Sequence, residues 1–494
     1  MKKLKFAVRV LIFFVVPATF SQALFAQGYG EELTFQGVEN MTLQSAGSRA
    51  AGGISIGVKN DIGLMFQNPA TLPSIGSLQI SIGGLHFAND LNQEQNYAPV
   101  RYYPNLSLLL EGRTGNIPNP DSSLFGFTAQ DTVQRPYDNI GPNWSRSGSD
   151  NRPLEAMLAV PISLGSIKLA AGVGAVRYAN LDNYYQNNNV LSPGILSQRP
   201  LPTLRPTDDN PLSVEWLQSV RSREGYINGY GFSLAGNVEK YHVSFGFSAM
   251  LLRGNSDDYE QSVGRGNLTF FSNAFRIDSV YSRISKTGTS DFTGQEFTLS
   301  SILSGRYVSI GFAVKPPTTI NRTFSMQVAT DTTGSPSLSA ISGEDKLRLP
   351  WRGTVGISLT PKENLLVGLE YDFRPYNSVR YVAPDGTETS PWLSASLFRV
   401  GVEFRVTSWL ALRGGMRGQA EVFQSEGNKI EGDPVKYTVY STGFGIFYSG
   451  LRLNVAYENS LMKYQDVWSS EISKNSERRY AIIADLSYAI PRIW

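Results

Sequence analysis

The chain of 494 residues contains no cysteine and only two histidines, and its basic and acidic residues nearly cancel, 44 against 42. Without cysteine there is no disulfide scaffold, no thiolate metal site and no lipid-modified N-terminal Cys. A serine hydrolase needs a histidine as base, but His86 and His242 fall near opposite ends of the strands described below. Neither has two partners at metal-ligand spacing, and no Gly-rich phosphate loop precedes a helix. No catalytic residue, metal or cofactor is therefore expected. The charge balance argues against nucleic acid as a partner. Beyond the N-terminal leader no apolar run approaches the ~18 residues of a membrane-spanning helix. The length would hold two or three soluble domains, yet no linker or shift of composition divides it.

What the chain does have begins with Lys2, Lys3, Lys5 and Arg9, the apolar run Val10–Phe20, and small residues at Ser21, Ala23 and Ala26. This is the pattern of a secretory signal peptide over residues 1–26, cleaved after Ala23 or Ala26. The run is short and interrupted by Pro17, which argues against an N-terminal anchor.

A Gly- and Ala-rich segment, Gly47–Gly76, follows and fits none of the strands around it. It passes through Lys59-Asn60-Asp61 and ends in Gln67-Asn68-Pro69-Ala70, where Pro fixes φ and removes a donor. It reads as the main part of a plug that occupies residues 27–75. From residue 76 onward, period-2 alternation marks about fourteen strands with Gly and aromatic residues throughout, the pattern of a transmembrane barrel.

The first strand is Gly76–Ala88. Hairpins follow, Leu154–Leu164 with Ile167–Tyr178, Tyr226–Val238 with Tyr241–Arg253, and Glu296–Ser304 with Tyr307–Lys315. Trp351–Thr360 pairs with Leu365–Arg374, Ser396–Thr407 with Trp409–Val422, and Tyr437–Tyr448 with Leu451–Tyr464, before Tyr480–Ile490 and the terminal Trp494. Turns such as Gly165-Ser166 and Glu239-Lys240 are short, whereas Asn89–Pro153, Ala179–Gly225, Gly254–Gln295 and Pro316–Pro350 read as long loops. Short turns belong in the periplasm and long loops outside the cell.

Rows such as Phe398, Val400, Val402, Phe404 and Val406 would face lipid. The opposite rows place Arg352, Glu370, Asp372, Arg374, Arg399, Glu403, Arg405, Arg413, Arg417, Arg452, Glu458 and Asp485 inside. Mixed signs predict a cross-strand ion-pair lattice around the plug, with one or two arginines, Arg399 or Arg413 by parity, left to meet an anionic head group. A soluble β-sandwich or propeller would instead oppose two apolar faces. Apolar residues at Leu106–Leu110, Leu191–Pro206 and Thr269–Phe271 could form a greasy external groove or pack on themselves.

The order of small-residue segment, Asn68-Pro69-Ala70 and β-hairpins to the terminus resembles the FadL/TodX family of outer-membrane transporters for long-chain fatty acids and other hydrophobic compounds. The resemblance implies an all-β barrel with a small hatch, barrel strands over 76–494, and a monomer in outer-membrane lipid, built by the barrel-assembly machinery. It implies passive uptake of a hydrophobic small molecule, with Lys59, Asp61, Asn68, Pro69 and Ala70 in the gate. FGFSAMLLRGN resembles the family's strand with a carboxylate-binding arginine, which points to Arg253, although parity from Phe245 and Phe247 faces it outward unless the strand bulges. Gly172 and Gly174 in KLAAGVGAVRY would mark the kinked third strand beside a lateral gap. The competing reading is a PorV-like barrel serving type IX protein secretion. The N-terminal region is too short for the plug of a TonB-dependent receptor.

Overall fold

The computed structural model describes residues 32–41, 43–95, 143–164, 167–192, 209, 212–270, 275–278, 282–332, 335–422, 435–468 and 471–490. The leader, Gly165-Ser166, Leu106–Leu110 and Trp494 lie outside them, as does most of Leu191–Pro206.

A short helix α1 (Ala46–Ala50) and two 3-10 turns, Ile62–Leu64 and Pro69–Ser74, precede the strands. These are β1 (Leu78–Gln95), β2 (Trp144–Leu164), β3 (Ile167–Asn180), β4 (Asn183–Ser192), β5 (Leu212–Val238), β6 (Val243–Phe270) and β7 (Phe275–Asp278). Then come β8 (Ser282–Ser304), β9 (Val308–Lys315), β10 (Thr318–Thr332), β11 (Ser335–Leu349), β12 (Arg352–Lys362), β13 (Leu365–Phe373), β14 (Arg380–Val382) and β15 (Glu388–Thr389). The last are β16 (Leu397–Arg405), β17 (Leu410–Ala420), β18 (Lys436–Tyr448), β19 (Leu451–Trp468) and β20 (Glu471–Ile490).

Fourteen of these form the wall of a closed antiparallel transmembrane barrel, in the order β1, β2, β3, β5, β6, β8, β9, β12, β13, β16, β17, β18, β19, β20. The ladder between β1 and β20, from Leu78↔Ile490 to Gln95↔Ser473, closes it. Each wall strand contains most or all of one of the fourteen sequence segments. Side chains alternate as a bilayer demands: Phe398 is 51% exposed and Arg399 2% on the same strand. Tyr241, Tyr307, Trp409 and Tyr448 stand exposed at the short-turn end, where aromatic rings suit an interface. Of the charges expected inside, Arg405 is the most exposed, its side chain 48% open at the short-turn mouth although it keeps to the inward row opposite buried Ala411.

The expected long loops are in part strand. β5 and β6 stay paired from Val238↔Val243 to Leu212↔Phe270, far beyond their apolar rows. Pro316-Pro317 and Pro350 cannot donate to a ladder, and there the partners change: β9 pairs with β12, whereas β10 pairs with β11 as a hairpin prolonging them.

Candidate functional site

The segment before β1 lies in the lumen, bonded to strands all around the wall. Its upper end sits far from the short turns. Leu33 N donates to Glu260, 17 residues beyond Val243, the lower end of β6, and Arg322 Nη1 donates to Leu33 O at 2.5 Å. Arg223 Nη1 donates to Thr34 O at 2.8 Å. Phe35 is wedged edge-on between Phe292 and Tyr381, with centroids 6.0 and 6.1 Å away. Both arginines are held by acids, Arg223 by Asp258 and Arg322 by Asp345. The sequence hides Arg223 and Asp258 because the apolar rows of β5 and β6 stop below them, although extending the same parity upward reaches Arg223; it hides Arg322 and Asp345 because Pro316–Pro350 reads as a loop.

Lower down, Ser45 caps α1 by accepting from Ser48 N, and its hydroxyl donates to Asp61 at 2.6 Å. Ala46 N donates to Asp485 at 2.9 Å. Arg49 grips Glu458 through Nε at 3.1 Å and through Nη2, and Arg417 donates to the same carboxylate at 2.6 and 3.1 Å. Ser55 N and Ile56 N donate to Glu370 at 2.5 and 2.6 Å. Arg452 donates to Asn60 O at 2.5 Å, and Ala70 N donates to Ser300 at 2.8 Å. No periodicity marked Arg49, because its segment follows no strand pattern.

The residues expected at the gate are dispersed. Lys59 is exposed, Asp61 accepts from Ser45 and Gly63 N, and Asn68 is buried with Nδ2 donating to Ser55 at 3.3 Å. Pro69 and Ala70 pack on Gly246 of β6. The candidate arginines do not converge. Arg399 is bound by Asp372 and lies 3.5 Å from Glu370; Arg413 donates to Glu403 at 2.7 Å and to Asn454 at 2.9 Å. Arg253 is exposed on the outward row, since the ladder runs unshifted through Asn228↔Arg253.

Gly172 and Gly174 line no gap. Their strand is paired on both sides, and a Cβ on either would meet Met65, Sδ at 2.8 Å from Gly172 and Cε at 3.1 Å from Gly174. The wall parts just above them. Pairing of β2 with β3 ends at Glu155↔Val176, beside an extra residue in each strand, Leu154 and Tyr178. Beyond this seam, among the described residues, β2 pairs only with β1, and β4 only with β5. Side chains alone cross it: Arg152 reaches Asn180 and Asp182, and Arg146 lies over the Tyr184 ring at 4.1 Å.

A cavity of about 830 Å3 adjoins the seam above α1, with Arg49, Phe87, Arg152, Arg177, Tyr226 and Trp392 among its lining. Glu39 also borders it; burial first, and then Glu421, push its carboxyl up to about 7 against the pull of Arg479.

Neither a family model nor a curated protein matches the sequence. Solved structures do match in shape. A FadL homologue from Pseudomonas aeruginosa superposes with TM-score 0.54 at 12% identity, covering 91% of this chain and 99% of its own. The toluene transporter TodX of P. putida gives 0.51 at 13% identity over 92% and 100%. CymD, a monoaromatic hydrocarbon channel, gives 0.51 at 13% over 92% and 99%. The chain thus has the fold of the FadL and TodX channels along nearly its whole length.

Proposed function

We propose that this chain is an outer-membrane channel that takes up hydrophobic small molecules, among them long-chain fatty acids, passively. A signal peptide over residues 1–26 exports it, residues 27–75 form the plug and gate, and residues 76–494 form the barrel. The observation that carries the reading is the cavity beside the seam. Its volume lies within the ~300–1,000 Å3 range of small-molecule sites, and an opening between strands lets an apolar molecule leave sideways without crossing the filled lower lumen. The channels of like fold support the same class of cargo.

The experiment is uptake of radiolabelled palmitate by cells whose own uptake genes are deleted, with and without this chain, joined to native mass spectrometry of the detergent-extracted protein. Chain-dependent uptake and bound lipid-like molecules are expected. No uptake, together with a co-purifying secreted protein, would replace transport by the protein-secretion reading.

A further inference from the structure

Arg177 of β3 stands at the seam in an unusual state. It is 8% exposed, yet its Nε and Nη1 are buried without a hydrogen-bond partner among the described residues. Arg223, Arg322, Arg352, Arg399, Arg413 and Arg417, equally buried, each meet a carboxylate. Nearby acids do not reach Arg177, because Arg152 binds both Asp150 and Asp182. What holds Arg177 is an aromatic face, its guanidinium lying 3.9 Å from the Tyr226 centroid. Stacking uses the face of the guanidinium and leaves its edge free to donate in the plane, where carboxylate and phosphate oxygens bind best. Leaving buried donors unmade is costly, so the arrangement favours an anion that arrives and departs over a permanent partner.

Place and chemistry agree. Arg177 lines the cavity and sits one residue past the last β2–β3 pair, at Val176. Below it on the outward face lie Val173, Tyr230 and Phe232, all exposed and apolar or aromatic. A molecule with one anionic end and an apolar tail could put its head on Arg177 while its tail follows that surface toward the bilayer.

We propose that Arg177 is an anion-recognition site at the lateral seam, selecting amphipaths that carry a single carboxylate or phosphate group from a diffusing pool. This deepens the channel reading and rests on it for physiological meaning, but binding and transport can fail separately. Binding of palmitate and of hexadecanol to the purified full chain in a neutral detergent is measured by calorimetry for wild type, R177K and R177A. R177Q is added in case R177A does not fold. Loss of a charge-assisted pair should weaken palmitate about 10- to 100-fold in R177A, with R177K intermediate and hexadecanol unchanged.

Unchanged palmitate affinity, equal loss of both ligands, or no palmitate binding by wild type would overturn the proposal. So would R177A protein that keeps its palmitate affinity but loses a co-purified membrane lipid in native mass spectrometry, which would assign the site to a lipid head group. Arg177-dependent palmitate binding without cellular uptake would uphold the anion site and reject the transport reading.

Discussion

Ala51 of the luminal segment lies so close to Gly401 of β16 that a methyl group on the glycine would overlap the Ala51 carbonyl oxygen. The contact belongs to a row. Gly368, Gly401 and Gly415 are directly opposite one another on β13, β16 and β17, and Cβ atoms on Gly368 and Gly415 would stand 2.7 Å from Ile54 Cδ1 and 2.6 Å from the Ala51 carbonyl carbon. Backbone approach of this kind requires a bare wall.

G401A and G415A should therefore displace the segment by overpacking, at about 1–3 kcal/mol, and leave the strand ladder intact. Planar-bilayer conductance should rise while the heat-modifiable shift of the folded barrel on gels persists. Unaltered conductance would show that the segment yields without opening a path.

Glu458 joins two arginines from different elements, Arg49 and Arg417. E458A leaves both guanidinia buried without their acid, a loss of about 3–5 kcal/mol for a broken buried pair. Thermal unfolding should fall accordingly, and R49M in the same background should recover part of it by removing one stranded charge.

Glu39 makes the upper segment sensitive to pH. Its carboxyl titrates near 7 inside the lumen, from an ordinary value of 4.5, so its neutral form is favoured in the folded chain. Its contribution is complete below about pH 4.5 and declines as pH rises through 7. Glu421 repels the charged form and Arg479 attracts it. Hydrogen exchange over residues 32–41 should speed up between pH 5 and pH 8 beyond the chemical trend, and E39Q should remove the excess.

The absence of cysteine makes one engineered disulfide unambiguous. Ile54 Cβ lies 3.3 Å from where a Cβ on Gly368 would stand, close to disulfide reach once the Ile54 methyl groups that crowd the glycine are gone. The I54C/G368C pair, once oxidised, should block palmitate uptake until reduced. Full uptake in the verified cross-linked form would make the segment a fixed filler.

Topology is testable by labelling. Lys240 lies in the short turn between β5 and β6, and exposed Asp257 lies high on β6. On intact cells, D257C should react with a membrane-impermeant maleimide and K240C should not.

The wall was legible because lipid imposes a simple code: Phe398 and Phe404 had to alternate with Arg399 and Glu403. Above the apolar belt that code lapses, since water accepts polar residues on both faces, and Asn255 to Glu260 read as loop although they pair as strand. The luminal segment was visible by its small residues, but its partners were not; the grip of Arg49 on Glu458 joins residues that share no period. The family resemblance points to Gly172 and Gly174 for the seam, whereas the structure makes it with extra residues at Leu154 and Tyr178, which leave no compositional trace.

The luminal segment also bears on how the barrel is assembled. It runs from Leu33, bonded to Glu260 of β6 and Arg322 of β10 well above the short turns, down to Ile75 beside the start of β1. A chain already closed into a cylinder would have to be threaded to reach that state. The closing ladder joins Leu78 to Ile490, the most distant partners in the sequence, and so carries the largest loop-closure entropy of any strand pair. Zipping β1 to β20 last lets the open sheet wrap around its own N-terminus, and mutations that weaken the segment's seat should then trap half-closed sheets during biogenesis even where the finished barrel is stable.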